Sequence, residues 1–272
     1  MTDTRTPGQP SCQNSSPKAA LITGAGARLG RNIALAMAAD GWDIAIHYRK
    51  SKDPAHALQN EIQAMGRQAI CVAADLDCAD EVTSAFAQCL ARLPHLRCVV
   101  NNASRFEFDR PENVQATALQ AHFAANVVAP VLLTQLLHAA LAPRHQAGQD
   151  PTGVVIHLLD QKLVNPNPDF YSYTLSKAAL LEATRLSAMA FAPVLRVVGL
   201  GPGITLPSAD QTDTEFAKTH TMTPLGASSR PQDVSQAVVW LAQARAVTGT
   251  MLLVDGGQHL TPQPRDVMMM IR

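Results

Sequence analysis

A tyrosine and a lysine four residues apart, Tyr173 and Lys177, follow an aspartate, Asp160, that lies thirteen residues before the tyrosine. Positions i and i+4 of a helix share a face, so we expect the phenol and the ammonium to point into one cleft. The reference pKa of a phenol is about 10, and a neighbouring ammonium lowers it. The spacing therefore predicts a proton donor that works near neutral pH. Two residues on a solvated helix face would show the same spacing, so the pair needs support from the rest of the chain.

A glycine-rich turn near the other end of the chain supplies that support. The apolar run Ala19–Thr23 leads into a turn with Gly24, Gly26 and Gly30, and a segment with helical periodicity follows. Such a turn lets the backbone approach a pyrophosphate, and the N-terminus of the following helix receives its charge. The spacing is not G-x-G-x-x-G. A plain tight turn is the alternative interpretation.

Six motifs, in order along the chain, resemble those of the short-chain dehydrogenase/reductase family. The resemblance covers roughly residues 18–260. It implies a Rossmann-type fold and a nicotinamide-dependent oxidoreductase. The matching residues are Thr23, Gly24 and Gly30 of the cofactor motif, Asn101-Asn102-Ala103-Ser104 in place of Asn-Asn-Ala-Gly, Asn126, the pair Tyr173 and Lys177, Pro202-Gly203, and Val254-Asp255-Gly256-Gly257.

Three departures from the family pattern narrow the resemblance. Arg28 and Ser104 stand where most members have glycine, and Asp160 stands where the family usually has serine. With His47–Ser51 after the second predicted strand, these changes look like the pteridine reductases and the dihydromonapterin reductases. A simple carbonyl substrate needs a hydroxyl near its oxygen, whereas a carboxylate can pair with the amine and ring nitrogens of a pterin or relay a proton. The alternative is that Asp160 only caps the end of a strand.

Strand-like and helical patterns alternate along the chain, which predicts an α/β fold. We expect a doubly wound parallel sheet of about seven strands with helices on both faces and ligands at the carboxyl ends of the strands. The predicted strands are Ala19–Thr23, Trp42–Tyr48, Gln68–Ala73, Leu96–Asn101, Gly153–Leu159, Leu195–Gly199 and Met251–Asp255. The predicted helices are Leu29–Ala39, Ala55–Met65, Asp80–Leu93, Glu112–Ala142, Tyr171–Ala190 and Pro231–Ala242. Residues 1–17 are expected to be a disordered tail, and residues 18–272 one NADP-binding domain with a substrate loop at about 204–230.

Charge at the end of the second strand favours NADPH over NADH. Arg28, Arg49 and Lys50 would attract a 2′-phosphate. An NAD site would have an acid at this end of the strand. The nearest acid in the strand, Asp43, is four residues before His47 and therefore about 13 Å from it at ~3.3 Å per residue. A solvated loop is the alternative for Arg49 and Lys50. The predicted cofactor residues are Gly24, Arg28, Leu29, Gly30, His47, Tyr48, Arg49, Lys50, Ser51, Asp75, Leu76, Asn102, Ala103, Ser104, Tyr173, Lys177, Pro202, Gly203 and Ile204.

The resemblance also implies roles in catalysis. Tyr173 would donate a proton while NADPH gives a hydride to a pterin ring carbon, and Lys177 would lower the tyrosine pKa and hold the nicotinamide ribose. Asp160 would orient the pterin or assist protonation, and Asn126 would hold a water that links Lys177 to solvent. Phe106 would stack on the pterin ring, although Phe106 and Phe170 could instead be core residues. The predicted substrate residues are Arg28, Ser104, Phe106, Asp160, Phe170 and Tyr173.

Composition argues against several other classes of protein. The 22 basic and 22 acidic residues balance, which argues weakly against a nucleic-acid partner, and no apolar run reaches the roughly 18 residues of a membrane span. Residues 1–17 lack the apolar core of a secretory signal. Five cysteines without a C-x-x-C pair indicate free thiols in a reducing compartment, and the nine histidines show no metal-ligand spacing. We therefore expect a cytoplasmic enzyme without a metal.

The resemblance implies a homotetramer. The apolar end of the chain, within Val267–Ile271, is expected to pack on a neighbouring subunit.

Two other functions stay open at this stage. One is a carbonyl or alcohol oxidoreductase of the same fold that acts on a ketone or sugar, and Asp160 argues against it. The other is a non-catalytic NADP-binding or regulatory protein, and the presence of Tyr173, Lys177 and Asn126 argues against that.

Overall fold

Seven parallel strands form one sheet in the order β3-β2-β1-β4-β5-β6-β7. The computed structural model describes residues 17–149, 152–207 and 211–270. The strands are β1 (Ala19–Ile22), β2 (Asp43–Tyr48), β3 (Ala69–Ala73), β4 (Leu96–Asn101), β5 (Gly153–Leu158), β6 (Leu195–Pro202) and β7 (Met251–Val254). The strand order reverses between β1 and β4, where an open α/β sheet forms its ligand crevice. The predicted doubly wound α/β fold is confirmed. Most of the predicted disordered tail lies outside the described residues.

Helices cover both faces of the sheet and bury two apolar cores. They are α1 (Arg28–Ala39), α2 (Lys52–Ala64), α3 (Ala79–Arg92), α4 (Ala116–Phe123), α5 (Ala129–Gln146), α6 (Tyr171–Phe191), α7 (Asp213–His220) and α8 (Pro231–Gln243). One core lies under α1, α2 and α8, and the other lies under α3, α5 and α6. Successive strand side chains point to opposite faces, so in β1 Ile22 enters the first core and Leu21 the second. Because both faces are covered, the strands are apolar throughout rather than alternating.

The helix predicted over Glu112–Ala142 is divided into three parts. α4 ends at Phe123, a π-helical turn spans Ala124–Val128, and α5 begins at Ala129. Apolar residues continue through all three parts, so the hydrophobic pattern gives no sign of the interruption. Single π turns in helices occur frequently at functional sites, and this one carries Asn126.

The predicted substrate loop contains a short helix, α7, that the sequence analysis missed. The hydroxyl of Thr212 accepts the amide of Glu215, and the Glu215 carboxylate accepts the amide of Thr212. This capping box satisfies backbone donors that the first turn of a helix leaves unpaired. The pattern Thr-x-x-Glu at 212–215 was the available signal.

The helical stretch Ala116–Gln146 is long and apolar enough to cross a membrane by length and composition. A single such helix is weak evidence, because core helices of globular proteins meet the same criterion. In this structure α5 packs against α3, α6, β4 and β5.

Candidate active site

The turn after β1 is fixed to the end of β4 by a side-chain hydroxyl. Thr23 Oγ1 accepts the amides of Asn102 and Ala103, both at 3.0 Å, and Asn102 Nδ2 donates to the carbonyl of Thr23 at 2.9 Å. Gly24 has φ +63°, and a Cβ at Gly30 would lie 2.3 Å from the Gly24 carbonyl oxygen. A side chain at position 30 would therefore disrupt the turn, which explains glycine at both positions.

Arg28 begins α1 with φ +53°, a left-handed conformation at the position where most of the resembled family has glycine. For a residue with a Cβ this conformation costs about 1–3 kcal/mol. Its guanidinium Nη2 donates to the Pro207 carbonyl at 2.6 Å. Arg28 thus connects the phosphate-binding turn to the start of the predicted substrate loop.

His47 fixes the same turn from the side of β2 and β3. The Gly24 amide donates to Nδ1 at 3.1 Å, and Nε2 lies 3.1 Å from the Ala74 carbonyl. Burial lowers the pKa of His47, so the ring is neutral and its proton is on Nε2. Both ring nitrogens are committed to the protein, and His47 contributes a wall of the cleft rather than a positive charge.

A cavity of about 330 Å³ lies at the carboxyl ends of β1–β4. Its lining residues are Gly24, His47, Arg49, Asp75, Leu76, Asp77, Ala103, Ser104, Arg105, Phe106, Glu107 and Ala125. Arg49 Nη1 lies 3.6 Å from an oxygen of Asp75 and 3.8 Å from one of Asp77, and Arg105 donates to Asp77 at 2.9 Å. Two arginines and three carboxylates thus border this cavity, of which sequence reasoning had named only Arg49 and Asp75 as site residues.

Four predicted cofactor residues do not line the three cavities described in this subsection: Gly30, which lies in the first turn of α1, and Tyr48, Lys50 and Ser51. The ring of Tyr48 lies 6.4 Å from that of His56, Lys50 is exposed, and Ser51 precedes α2 as its N-cap residue. Their side chains are not among the cavity-lining residues in the described part of the chain. Their roles in cofactor binding stay predictions.

A second cavity of about 250 Å³ brings together three of the four predicted catalytic residues, Asp160, Tyr173 and Lys177. Tyr173 Oη donates to Asp160 Oδ2 at 2.8 Å, and the other carboxylate oxygen accepts the Lys162 amide at 2.8 Å. Lys177 Nζ donates to the Leu158 carbonyl at 2.6 Å and lies 5.6 Å from the centre of the Tyr173 ring. The cavity is lined by Arg28, Leu29, Asn102, Ser104, Phe106, Leu158, Leu159, Asp160, Tyr173, Lys177, Pro202, Gly203, Thr205 and Leu206.

The electrostatics of this group differ from the expectation. Burial raises the pKa of Tyr173 well above its ordinary value, and the Asp160 carboxylate adds to the effect. Burial also lowers the pKa of Lys177 to about 8, although Asp160 opposes that shift. The expected net lowering of the tyrosine pKa toward neutrality is absent in this arrangement, because the phenol is buried and a carboxylate contacts it, while the Lys177 amine donates to a carbonyl.

Asp160 is the other half of this pair. Burial raises its pKa, while hydrogen bonds from the Lys162 amide and the Tyr173 hydroxyl oppose the shift. A phenolate and a carboxylate at hydrogen-bond distance repel each other, so Tyr173 and Asp160 are not easily ionised at the same time. The pair therefore holds at least one proton, and it can hold a second one when Asp160 is protonated.

Asn126 lies in the π turn and is almost fully buried. Its amide makes four hydrogen bonds: Oδ1 accepts from the Arg105 amide and the Ser104 hydroxyl, and Nδ2 donates to the Arg105 carbonyl and the Ser176 hydroxyl. The loop after β4 is thereby fixed to α6. Because these bonds occupy the side chain, it is not the group that would hold the expected water.

An aromatic cluster lies beside the phenol. The ring of Phe106 stacks on that of Phe170 at 4.2 Å and 14° and meets the Tyr173 ring edge-on at 4.7 Å. Phe170 is buried, as the core interpretation required, whereas Phe106 is 41% exposed and borders all three cavities. Phe106 is thus placed to meet a flat ligand.

A third cavity of about 140 Å³ adjoins Asp160 and includes residues that sequence reasoning missed. Its walls are Phe106, Asp160, Gln161, Lys162, Gly203, Ile204, Thr205, Leu206, Gln211, Gln258, Asp266, Val267 and Met268. Val267 is buried against its own chain, and the expected contact of the C-terminal tail with a neighbouring subunit stays a prediction. No sequence spacing relates residues near 160 to residues near 266. In the described ranges, no cluster of three or more His, Cys, Asp or Glu could hold a metal ion.

Comparisons with known proteins agree with this geometry. A family model described as enoyl-(acyl carrier protein) reductase matches residues 24–259. The chain is 36% identical over 247 residues to an uncharacterized oxidoreductase of Mycobacterium tuberculosis, covering 88% of this chain and 91% of that one. It is 28% identical over 282 residues to pteridine reductase 1 of Leishmania tarentolae, covering 89% and 96%.

A solved structure gives the same result. The crystal structure of FolM alternative dihydrofolate reductase 1 from Brucella canis, complexed with NADP, is 35% identical in sequence and superposes with a TM-score of 0.82, covering 89% of this chain and 94% of that one. The fold, the ordered motifs and these matches together show that the chain belongs to the short-chain dehydrogenase/reductase family.

Proposed function

We propose that this protein is an NADPH-dependent reductase of pteridines. The observation that carries the proposal is the 2.8 Å hydrogen bond between the Tyr173 hydroxyl and the Asp160 carboxylate, in a cavity that Lys177 also lines. The catalytic pair belongs to the family, whereas the carboxylate stands where the family usually has serine. Similarity to a pteridine reductase and to a dihydrofolate reductase supports the same substrate class.

A carboxylate suits a pteridine because of the donors that this ring system carries. The exocyclic amine and ring N–H groups can donate to a carboxylate, and a hydrogen bond to a charged acceptor is about twice as strong as a neutral one. A ketone offers only an acceptor, so it provides no donor for the oxygens of Asp160. Phe106, partly exposed beside Tyr173, adds a flat apolar surface for the ring.

The residues at the carboxyl ends of β1–β4 fit NADPH. The backbone at Gly24 and Gly30 leaves room for a close approach to a pyrophosphate. Arg49 lies at the cavity wall, where its guanidinium can turn from Asp75 and Asp77 toward a 2′-phosphate. NADPH, when bound, supplies the hydride for the reduction.

Side chains of the protein transfer the proton to the substrate and replace it. Tyr173 is a neutral phenol that can donate to a ring nitrogen, and Lys177 can stabilise the negative charge that develops on its oxygen. Since ionised Asp160 would oppose that charge, the carboxyl group must first carry a proton, which its raised pKa favours. Asp160 therefore acts as the proton reserve from which Tyr173 is resupplied.

The test is an NADPH-oxidation assay with biopterin, dihydrobiopterin, dihydromonapterin and dihydrofolate side by side, together with a panel of ketones and sugars. Tyr173→Phe should keep NADPH binding and lower turnover by roughly 10²–10⁴-fold, the usual contribution of a positioned general acid. Tyr171→Phe is the matched control, because it removes a phenol two residues away, and its turnover should be unchanged. Turnover of ketones but of no pteridine would refute the proposal.

One alternative has an observation in its favour. The description of the matching family model names an enoyl-thioester reductase rather than a pteridine reductase, so reduction of an unsaturated or carbonyl substrate stays a second candidate. The same assay, with an enoyl thioester added to the panel, separates the two functions.

We also propose that the protein is a cytoplasmic homotetramer whose substrate is a small molecule rather than a nucleic acid or a membrane. Exposed apolar side chains on α5 and α6 support contacts between copies: Val131, Leu175, Leu186 and Met189. A mass of about four chains in light scattering is the expected result, and a monomer at micromolar concentration would contradict it.

A further inference from the structure

A buried carboxylate, Asp169, joins three separate segments beside the substrate cavity. One of its oxygens accepts Arg110 Nη1 at 3.3 Å, and the other accepts Arg265 Nε at 2.7 Å and the Asp266 amide at 2.9 Å. Its backbone carbonyl accepts Lys162 Nζ at 2.6 Å. The segment before α4, the segment after β5 and the C-terminal segment therefore meet at one residue that is completely shielded from solvent.

Positive charges around Asp169 offset the effect of its burial. Burial raises the pKa of Asp169, but hydrogen bonds from Arg265 and the Asp266 amide, with the charges of Arg265 and Lys162, outweigh that effect and leave the pKa below its ordinary value. Lys162 Nζ also lies 3.3 Å from the Asp266 carboxylate. Asp169 is thus ionised at neutral pH, and its attachment to the C-terminal segment persists there.

The residue after Asp169 is held in an unusual conformation. Phe170 has φ +53°, which a residue with a side chain keeps only where its surroundings enforce it. Asp169 is fixed on one side, and on the other the Asp109 carboxylate accepts the Ser172 amide at 2.9 Å. The enforced backbone places the Phe170 ring against Phe106, the residue that borders all three cavities.

The C-terminal segment that Asp169 holds forms a wall of the third cavity. Asp266, Val267 and Met268 line it together with Asp160. The Asp266 carboxylate accepts the Met268 amide at 3.1 Å and so fixes the short turn that carries Val267. The wall belongs to the same chain as the catalytic residues.

We propose that Asp169 is a positioning residue of the substrate site, which acts through Phe170 and through the segment Arg265–Met268. The inference deepens the proposed function and rests on it for the identity of the substrate. Two partners of Asp169, Lys162 and Asp266, line the third cavity, and none of the partners named for Asp169 lines the cavity at the carboxyl ends of β1–β4. Release of the segment should therefore weaken substrate binding and leave the cofactor turn intact.

The experiment uses Arg265→Ala and a chain that ends at Pro264, because Arg265 is partly exposed and its loss leaves both cores intact. In both variants KM for the pteridine should rise roughly tenfold while kcat changes about twofold or less, as expected for lost ground-state binding. The Kd for NADPH should stay as in the wild type, and Arg265→Lys should restore part of the loss. Arg185→Ala, which breaks an exposed ion pair with Glu182 on α6, is the matched control and should change none of these values.

A second measurement needs no substrate. Amide hydrogen exchange in residues 169–173 should be faster in Arg265→Ala than in the wild type or Arg185→Ala, and exchange in the turn after β1 should be unchanged. If the wild type reduces no pteridine, the proposed function fails while this measurement still decides the role of Asp169. Unchanged exchange in residues 169–173, an unchanged KM, or a parallel loss of NADPH affinity and Tm would overturn the inference.

Discussion

Replacement of Asp160 by serine separates the two functions that the fold allows. Asp160→Ser restores the residue that the family usually has and removes the carboxylate that accepts the Tyr173 hydroxyl. A serine hydroxyl can still accept the Lys162 amide, as Asp160 Oδ1 does at 2.8 Å, so the short 3₁₀ turn at Gln161–Leu163 should keep its cap. The change therefore tests the chemistry of the side chain with little change to the backbone.

The expected loss follows from the bond that is removed. A hydrogen bond between a substrate amine and a carboxylate contributes about 1.5–3 kcal/mol. Since about 1.4 kcal/mol corresponds to a factor of ten, kcat/KM for a pteridine should fall roughly 10- to 150-fold. The loss of the proton reserve should add a decrease in kcat, because the neighbouring phenol is then resupplied only from solvent.

The assay is steady-state NADPH oxidation with dihydrobiopterin and with a ketone, combined with a fluorescence titration of NADPH binding. The Kd for NADPH should be unchanged, and the ratio of pteridine to ketone activity should fall. Asp213→Ser, at an exposed position in the first turn of α7, is the matched control. Unchanged pteridine turnover in Asp160→Ser would show that the carboxylate only caps the end of β5. Asp160 would then not bind the substrate, and the proposed preference for a pteridine would be refuted.

Three further predictions concern the cofactor, pH and stability. Arg49→Ala should raise KM for NADPH about tenfold or more and leave KM for NADH nearly unchanged, because it removes a cation available to a 2′-phosphate. A preference of the wild-type enzyme for NADH would contradict the assignment of NADPH as the cofactor. Lys177 has a pKa of about 8 in the free enzyme. Because the lysine loses its charge above that pH, kcat/KM for NADPH should fall as pH rises above about 8. In Lys177→Arg the decline should move above about pH 10, because a guanidinium keeps its charge. Leu137→Ala, in the core under α5, should reduce the free energy of unfolding in urea by about 2–5 kcal/mol, whereas Leu225→Ala, at an exposed site between α7 and α8, should cost less than about 0.5 kcal/mol.

Much of the fold could be predicted because its signals are local. Each strand is a predominantly apolar run, and the glycine and asparagine motifs lie at the ends of strands, so the edge that carries the site could be located from the order of the motifs. The Tyr173–Lys177 spacing likewise placed both groups in one cavity, since α6 is regular across them.

The parts that could not be predicted depend on contacts between distant residues. The pKa of Tyr173 follows from burial and from a carboxylate at 2.8 Å, and neither can be derived from a separation of thirteen residues. The π turn around Asn126 lies within an unbroken apolar pattern. The contact between Asp169 and Arg265 joins residues 96 positions apart, which no periodicity can reveal.

The position of Phe106 has a thermodynamic consequence. Its ring borders the cavities for the cofactor, the catalytic pair and the C-terminal wall at once, and it lies in a loop with 41% of its surface open to solvent. A molecule bound in one of these cavities would contact the same ring as a molecule bound in the next. We therefore expect binding of the two reactants to be coupled, so that each changes the Kd of the other.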